Sequence, residues 1–155
     1  MLPPPPAAIT VDDSLWPLVV IRSVGTSRLA DFEAHLEKRV KCLERGPHLL
    51  LVDGMHSGML PLPHRERQLE WMARYEELRR ERMIGAVHAL DSALTRLTLS
   101  IVMHQSRPSY PYIVFNRLDH AAAWAACKLE DLGHPEVARR VQHRFGVTRQ
   151  QAEAG

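Results

Sequence analysis

The chain has 155 residues, 45% of them hydrophobic and 25% charged, with 11 prolines, 8 glycines and 2 cysteines. That is the length of one domain and the composition of an ordinary globular protein, which excludes a collagen-like, disulfide-framed or wholly disordered chain. Lys and Arg number 20 against 18 Asp and Glu, a net charge of +2; acids and bases interleave through residues 65–82, so no nucleic-acid partner is expected.

Residues 1–8, with Pro3–Pro6 in a row, read as a stiff, extended arm that lacks the basic start and apolar stretch of a signal peptide. Two strands follow, over residues 9–12 and 18–24, and the short turn between them predicts an antiparallel pair. Ser27 is placed to cap a helix running to about Arg45, with Leu29, Phe32, Leu36, Val40 and Leu43 as its buried stripe and Gly46-Pro47 as its stop. Residues 48–53 form a third strand. Leu49, Leu50, Leu51 and Val52 are consecutive apolar residues, the pattern of a strand covered on both faces.

A loop over residues 54–63 leads to a charged helix over residues 64–82. Its stripe is Trp71, Met72, Tyr75 and Leu78, flanked by the i,i+4 pairs Glu70/Arg74 and Glu76/Arg80. The stripe is too narrow to decide whether Trp71 and Tyr75 serve the core or an interface. The fourth strand covers residues 83–90. Asp91 or Ser92 caps the next helix, residues 93–105, with Leu94, Leu97, Ile101 and Val102 facing inward. A proline-bounded loop, 106–111, precedes the fifth strand at 112–116. Asp119 caps a helix over 121–132 that Gly133 stops, Pro135 opens a last helix to Phe145, and the tail frays after Arg149. Strands alternating with helices predict an α/β fold in one compact domain: a mostly parallel sheet of four or five strands with an antiparallel N-terminal edge strand, flanking helices and an extra C-terminal helix.

The order of elements resembles the STAS superfamily, and more closely its bacterial SpoIIAA-like (STAS/Sec14-type) branch. The residues carrying the resemblance are Ile9–Ser14 with Trp16–Val20, Leu49–Asp53, Arg67–Met72, and Val114–Asn116 with Ala121–Trp124. On that comparison residues 9–133 are the STAS-like domain, 134–149 an appended helix and 150–155 a tail. The resemblance implies a cytoplasmic, non-enzymatic interaction module in a regulatory or scaffolding complex, its partner another protein or a second copy of the chain. The alternative it implies is a carrier or sensor of a lipid or other apolar small molecule. Phosphorylatable members carry an Asp-Ser-Ser-Gly-like turn at a helix start. Here the segment reads Asp53-Gly54-Met55-His56-Ser57-Gly58, so only Ser57-Gly58 matches, and Ser57 is a weak candidate phosphoacceptor.

No complete catalytic set is present. His56, His64 and His104 have no metal-ligand spacing, Ser57 beside His56 has no nucleophile elbow, and no glycine-rich phosphate loop occurs; neither metal nor cofactor is expected. Cys42 and Cys127 lie far apart and read as free thiols of a reducing compartment. The loop at 54–63 is unusually apolar for a connection. It predicts a binding surface of Met55, His56, Ser57, Met59, Leu60, Leu62 and His64, joined by Tyr110 from the loop at 106–111. Both loops are expected at the carboxyl edge of the sheet, where α/β domains bind ligands.

Overall fold

The structure is a computed structural model that describes residues 2–148. Strands β1 (Ala8–Leu15) and β2 (Leu18–Gly25) pair antiparallel. Helix α1 (Leu29–Arg45) carries the chain to β3 (His48–Ser57). Helices α2 (Leu62–Arg74) and α3 (Glu76–Arg82) carry it to β4 (Met83–Ala89), and α4 (Ala93–Ser106) to β5 (Tyr112–Phe115). These strands join in sequence order, β1-β2-β3-β4-β5, parallel from β2 onward. The result is a single α/β domain whose one antiparallel strand lies at the N-terminal edge, as the alternation of elements predicts.

That order fixes where the helices go. Each parallel strand is added on the same side of the one before it, so right-handed crossovers carry α1, α2 with α3, and α4 over one face. Helices α5 (Leu118–Asp131) and α6 (Pro135–Phe145) follow the last strand and cover the other face. The consecutive apolar run of β3 serves both layers. Leu49 and Leu51 enter the core under α5 and α6, while Leu50 enters the core under α1, α2 and α4. On the α5 side the helix contributes five buried alanines, Ala121, Ala122, Ala123, Ala125 and Ala126, against Leu18, Leu51 and Val87. Small residues let the helix lie close to the sheet. Helix α6 is anchored on the same core through Ala138 and Val141. The expected tail over residues 150–155 lies outside the described residues.

Several local expectations are corrected. Strand β3 runs to Ser57 instead of stopping at Asp53, because β2 offers parallel partners that far: Val24 pairs with His56 and Gly25 with Ser57, across a bulge. Asp53 supports that bulge by accepting from the Met55 amide at 3.2 Å. Arg28, not Ser27, is the residue preceding α1, and Ser27 instead offers its carbonyl to His64 Nε2 at 2.7 Å. The charged helix begins at Leu62 and breaks at Tyr75, where the buried Arg79 donates to the freed Met72 carbonyl at 3.2 Å. Arg67 rather than Arg74 pairs with Glu70, at 2.8 Å, whereas Arg80 does pair with Glu76 at 3.6 Å. Trp71 is core and Tyr75 half-buried beside it. Ser92 caps α4 by accepting from Thr95 N. Asp119 sits inside the first turn of α5, held by Arg117, and does not cap it.

The largest correction concerns α4. Leu94, Leu97 and Ile101 point to solvent, Leu97 being 57% exposed; Thr95, Thr98, Leu99, Val102 and Met103 point inward. The helix carries two apolar stripes, and the one containing threonines won the interior.

Candidate functional site

The inward face of α4 does not close on the sheet. Between it, α1, α2 and the face of β2, β3 and β4 lies a cavity of about 190 Å³. Ile21, Leu50, Val52, Phe32, Met72, Leu99, Val102 and Met103 line its body, and half-buried Ser57, Leu60, Gln68, Thr95 and Thr98 surround its carboxyl-edge end.

Three basic side chains border this apolar space: His35 and Arg39 from α1 and His88 from β4. His35 Nδ1 donates to the Phe32 carbonyl, and its ring centroid lies 4.7 Å from that of Phe32. Burial pushes its imidazolium down to about 3, with Arg39 adding repulsion. His88 is pushed down to about 4 for the same two reasons, in the same order. Its Nε2 is buried without a hydrogen-bond partner. Both imidazoles are neutral at pH 7. Arg39 is half-exposed as a residue, yet desolvation holds its guanidinium down to about 10, so it stays charged. Its Cζ lies 4.5 Å from the Trp71 ring centroid. Next to it Arg79, 3% exposed, donates to the Tyr110 hydroxyl at 2.9 Å. Among the described residues no carboxylate stands within ion-pair distance of Arg39 or Arg79.

The residues read as a binding surface are divided by this arrangement. Ser57, Leu60 and Tyr110 border the cavity. Met55 leans against the opposite core, under α5. His56 is exposed at the end of β3, and Met59 and Leu62 are 60% and 58% exposed. His64 is buried against Phe32, ring centroids 5.1 Å apart, and bonded to Ser27. The segment at 54–63 is a strand end followed by a loop, pinned where Thr26 Oγ1 donates to the Met59 carbonyl at 3.0 Å. Ser57 Oγ bonds the Gly58 carbonyl at 3.1 Å and closes β3 instead of opening a helix.

The loop at 106–111 also differs from expectation. A parallel crossover must return to the amino end of the sheet, so α4 runs back and the loop lies there, the Pro111 carbonyl bonded to Ala86 N at 3.0 Å. Tyr110 therefore meets the cavity from the end opposite Leu60. His104 is exposed and joins no cluster. Among the described residues no group of three His, Cys, Asp or Glu could hold a metal ion.

The sequence reading missed His35, Arg39 and His88. The signal was there: His35 and Arg39 fall on the stripe of Phe32, Leu36 and Leu43, and His88 interrupts an otherwise apolar strand. A basic residue on a buried stripe marks either a satisfied core group or a lined cavity.

No family model matches the chain, and no curated protein does. Among solved structures it is similar to an uncharacterized protein of the DUF3478 family from Shewanella loihica PV-4, described as having a SpoIIAA-like fold. The two superpose with a TM-score of 0.59 at 13% identity, covering 81% of this chain and 99% of that one. At that identity the likeness speaks for the backbone alone, and the backbone agrees with the strand order and the helix layers above: the chain has a SpoIIAA-like fold.

Proposed function

We propose that the protein is a non-enzymatic binding module that takes a small apolar molecule into the cavity under α1, α2 and α4. One observation carries this reading: most of the surface lining the space is aliphatic or aromatic, with a minority of polar and charged side chains set among it, in the manner of ligand pockets. Neutral imidazoles and the guanidinium of Arg39 can bind and orient a guest. They supply no activated nucleophile and no acid–base pair, which supports binding without turnover. The two free thiols, Cys42 and Cys127, support a cytoplasmic setting. No described helix is long and apolar enough to cross a membrane. The test is methyl NMR during titration with 1-octanol. Shifts at Leu50, Val52 and Val102, abolished by Val102→Phe, are the expected result. Shifts confined to Leu94 and Leu97 would refute the reading.

A protein-contact role is a second reading, favoured by the exposed stripe Leu94, Leu97 and Ile101 and by Tyr112 and Ile113 on edge strand β5. Sedimentation velocity of Leu97→Glu checks it. Self-association present in the parent and lost in the variant supports an interface between copies, and a monomeric parent removes the homodimer.

A further inference from the structure

An apolar chamber bordered by uncompensated positive charge suits a guest of two natures. We infer that the guest is an anionic amphiphile of small size, a carboxylate on a short acyl chain or a single ring, with its head held by Arg39 and its body lying among Leu50, Val52 and Val102. This inference rests on the cavity-binding reading above and specifies its ligand.

Charge comes first. Arg39 and Arg79 repel one another, and a guanidinium partly withdrawn from water without a counter-ion is costly. Arg79 has its own acceptors, the Met72 carbonyl and the Tyr110 hydroxyl. Arg39 borders the cavity, has the Trp71 ring on one side and has no carboxylate partner among the described residues. A carboxylate suits a guanidinium because its two oxygens match the planar fork of N–H donors.

The second observation concerns the two histidines. His88 also borders the cavity, is only 7% exposed, and has an Nε2 with no partner. That Nε2 is closed to solvent, so His88 brings a neutral ring and no open donor to the chamber wall, which leaves the charge there to Arg39. His35 is no donor either, since its proton is committed at Nδ1 to the Phe32 carbonyl.

Size supplies the remaining restriction. The chamber, about 190 Å³, exceeds the roughly 150 Å³ that admits a benzene-sized body. It falls below the roughly 300 Å³ at which pockets for larger ligands begin. One ring or one short chain fits, and a two-chain phospholipid does not.

Isothermal titration of the full chain with octanoate and with 1-octanol at pH 7.5 tests the inference. Octanoate is expected to bind at least about tenfold more tightly, and Arg39→Met should erase that preference while leaving octanol binding in place. Equal affinity for the two in the parent chain would overturn the anionic guest but leave the cavity reading standing. Binding of neither would overturn both. A preference that survives Arg39→Met and disappears in Arg79→Met would overturn the assignment of the head group. The comparison in the parent chain decides the charge question even if Arg39→Met fails to fold.

Discussion

Protonating His88 should weaken the fold, and the size of the effect follows from its surroundings. In the folded chain burial and then Arg39 bring its pKa from 6.5 to about 4. The unfolded chain takes up the proton near 6.5 and the folded chain only near 4, so between those values the unfolded state binds more protons. Stability is therefore full above pH 6.5, falls as the pH drops through this window, and levels off below about 4. At about 1.4 kcal/mol per pH unit, His88 alone accounts for a loss of up to about 3 kcal/mol, a large share of a typical domain's stability of roughly 5–15 kcal/mol. His88→Phe fills the same site with a ring that cannot protonate, and it removes the orphaned Nε2. At pH 7.5 the variant should match the parent or exceed it slightly. Urea unfolding at pH 7.5, 6, 5 and 4.5 should show the two stability curves diverging as the pH falls. His35 supplies a remaining slope in both. Parallel curves across the series would mean that His88 is not held neutral in the folded chain, and the reasoning about the chamber's low polarity would fail with it.

Other outcomes follow from the packing. Ala122→Leu, at a fully buried position of α5 against the sheet, should cost about 1–3 kcal/mol by overpacking, read by urea denaturation. Cys42 is buried, and burial raises its thiol pKa, whereas Cys127 is half-buried; Ellman's reagent should label Cys127 first, with Cys42 reacting only on unfolding. Asp12 is held at about 2 by the Ser14 hydroxyl and amide and then by Arg144, which lies 2.7 Å away. Its stabilisation is complete above about 3.8 and lost as the pH falls through 2. Because Asp12 is a third exposed and Arg144 more so, Asp12→Asn should cost under about 1 kcal/mol at pH 7.

What could be read in advance was whatever depended on local pattern. The run at 49–52 needs no tertiary information to show that β3 is covered twice, and the short turn before Leu18 forces an antiparallel hairpin. Chain ends of elements depended on partners that the pattern does not contain: β3 extends through Ser57 because β2 is still beside it at Gly25. Helix α4 shows the same limit more sharply. Leu94, Leu97 and Ile101 make as good a stripe as Thr95, Thr98, Leu99, Val102 and Met103, and only the neighbours decide which faces in. The expected site was built on loop composition, and loop composition did not foresee that Met55 and Leu60 would turn to opposite faces. The chamber itself needed three elements at once, which is why its basic residues were legible one by one but not as a group.

Helix α4 is also where the fold should be least secure. Its main packing among helices is with α2, and its first turns place Leu94 and Leu97 in water while Thr95 and Thr98 border the cavity. Only Val102 and Met103, near its end, are buried as core. Local stability follows buried apolar contact, so the amino-terminal half of α4 should open at a smaller free energy than the sheet. In hydrogen exchange, amides from Leu97 to Ser100 are expected to exchange well before those of Leu49–Leu51 in the central strand. A guest in the chamber would give Thr98 and Leu99 a surface to pack on, so saturating octanoate should slow the α4 amides and leave β3 unchanged. Exchange in α4 as slow as in β3 without any guest would show the helix to be fixed by contacts other than these, and would remove the physical reason for expecting a guest to order it.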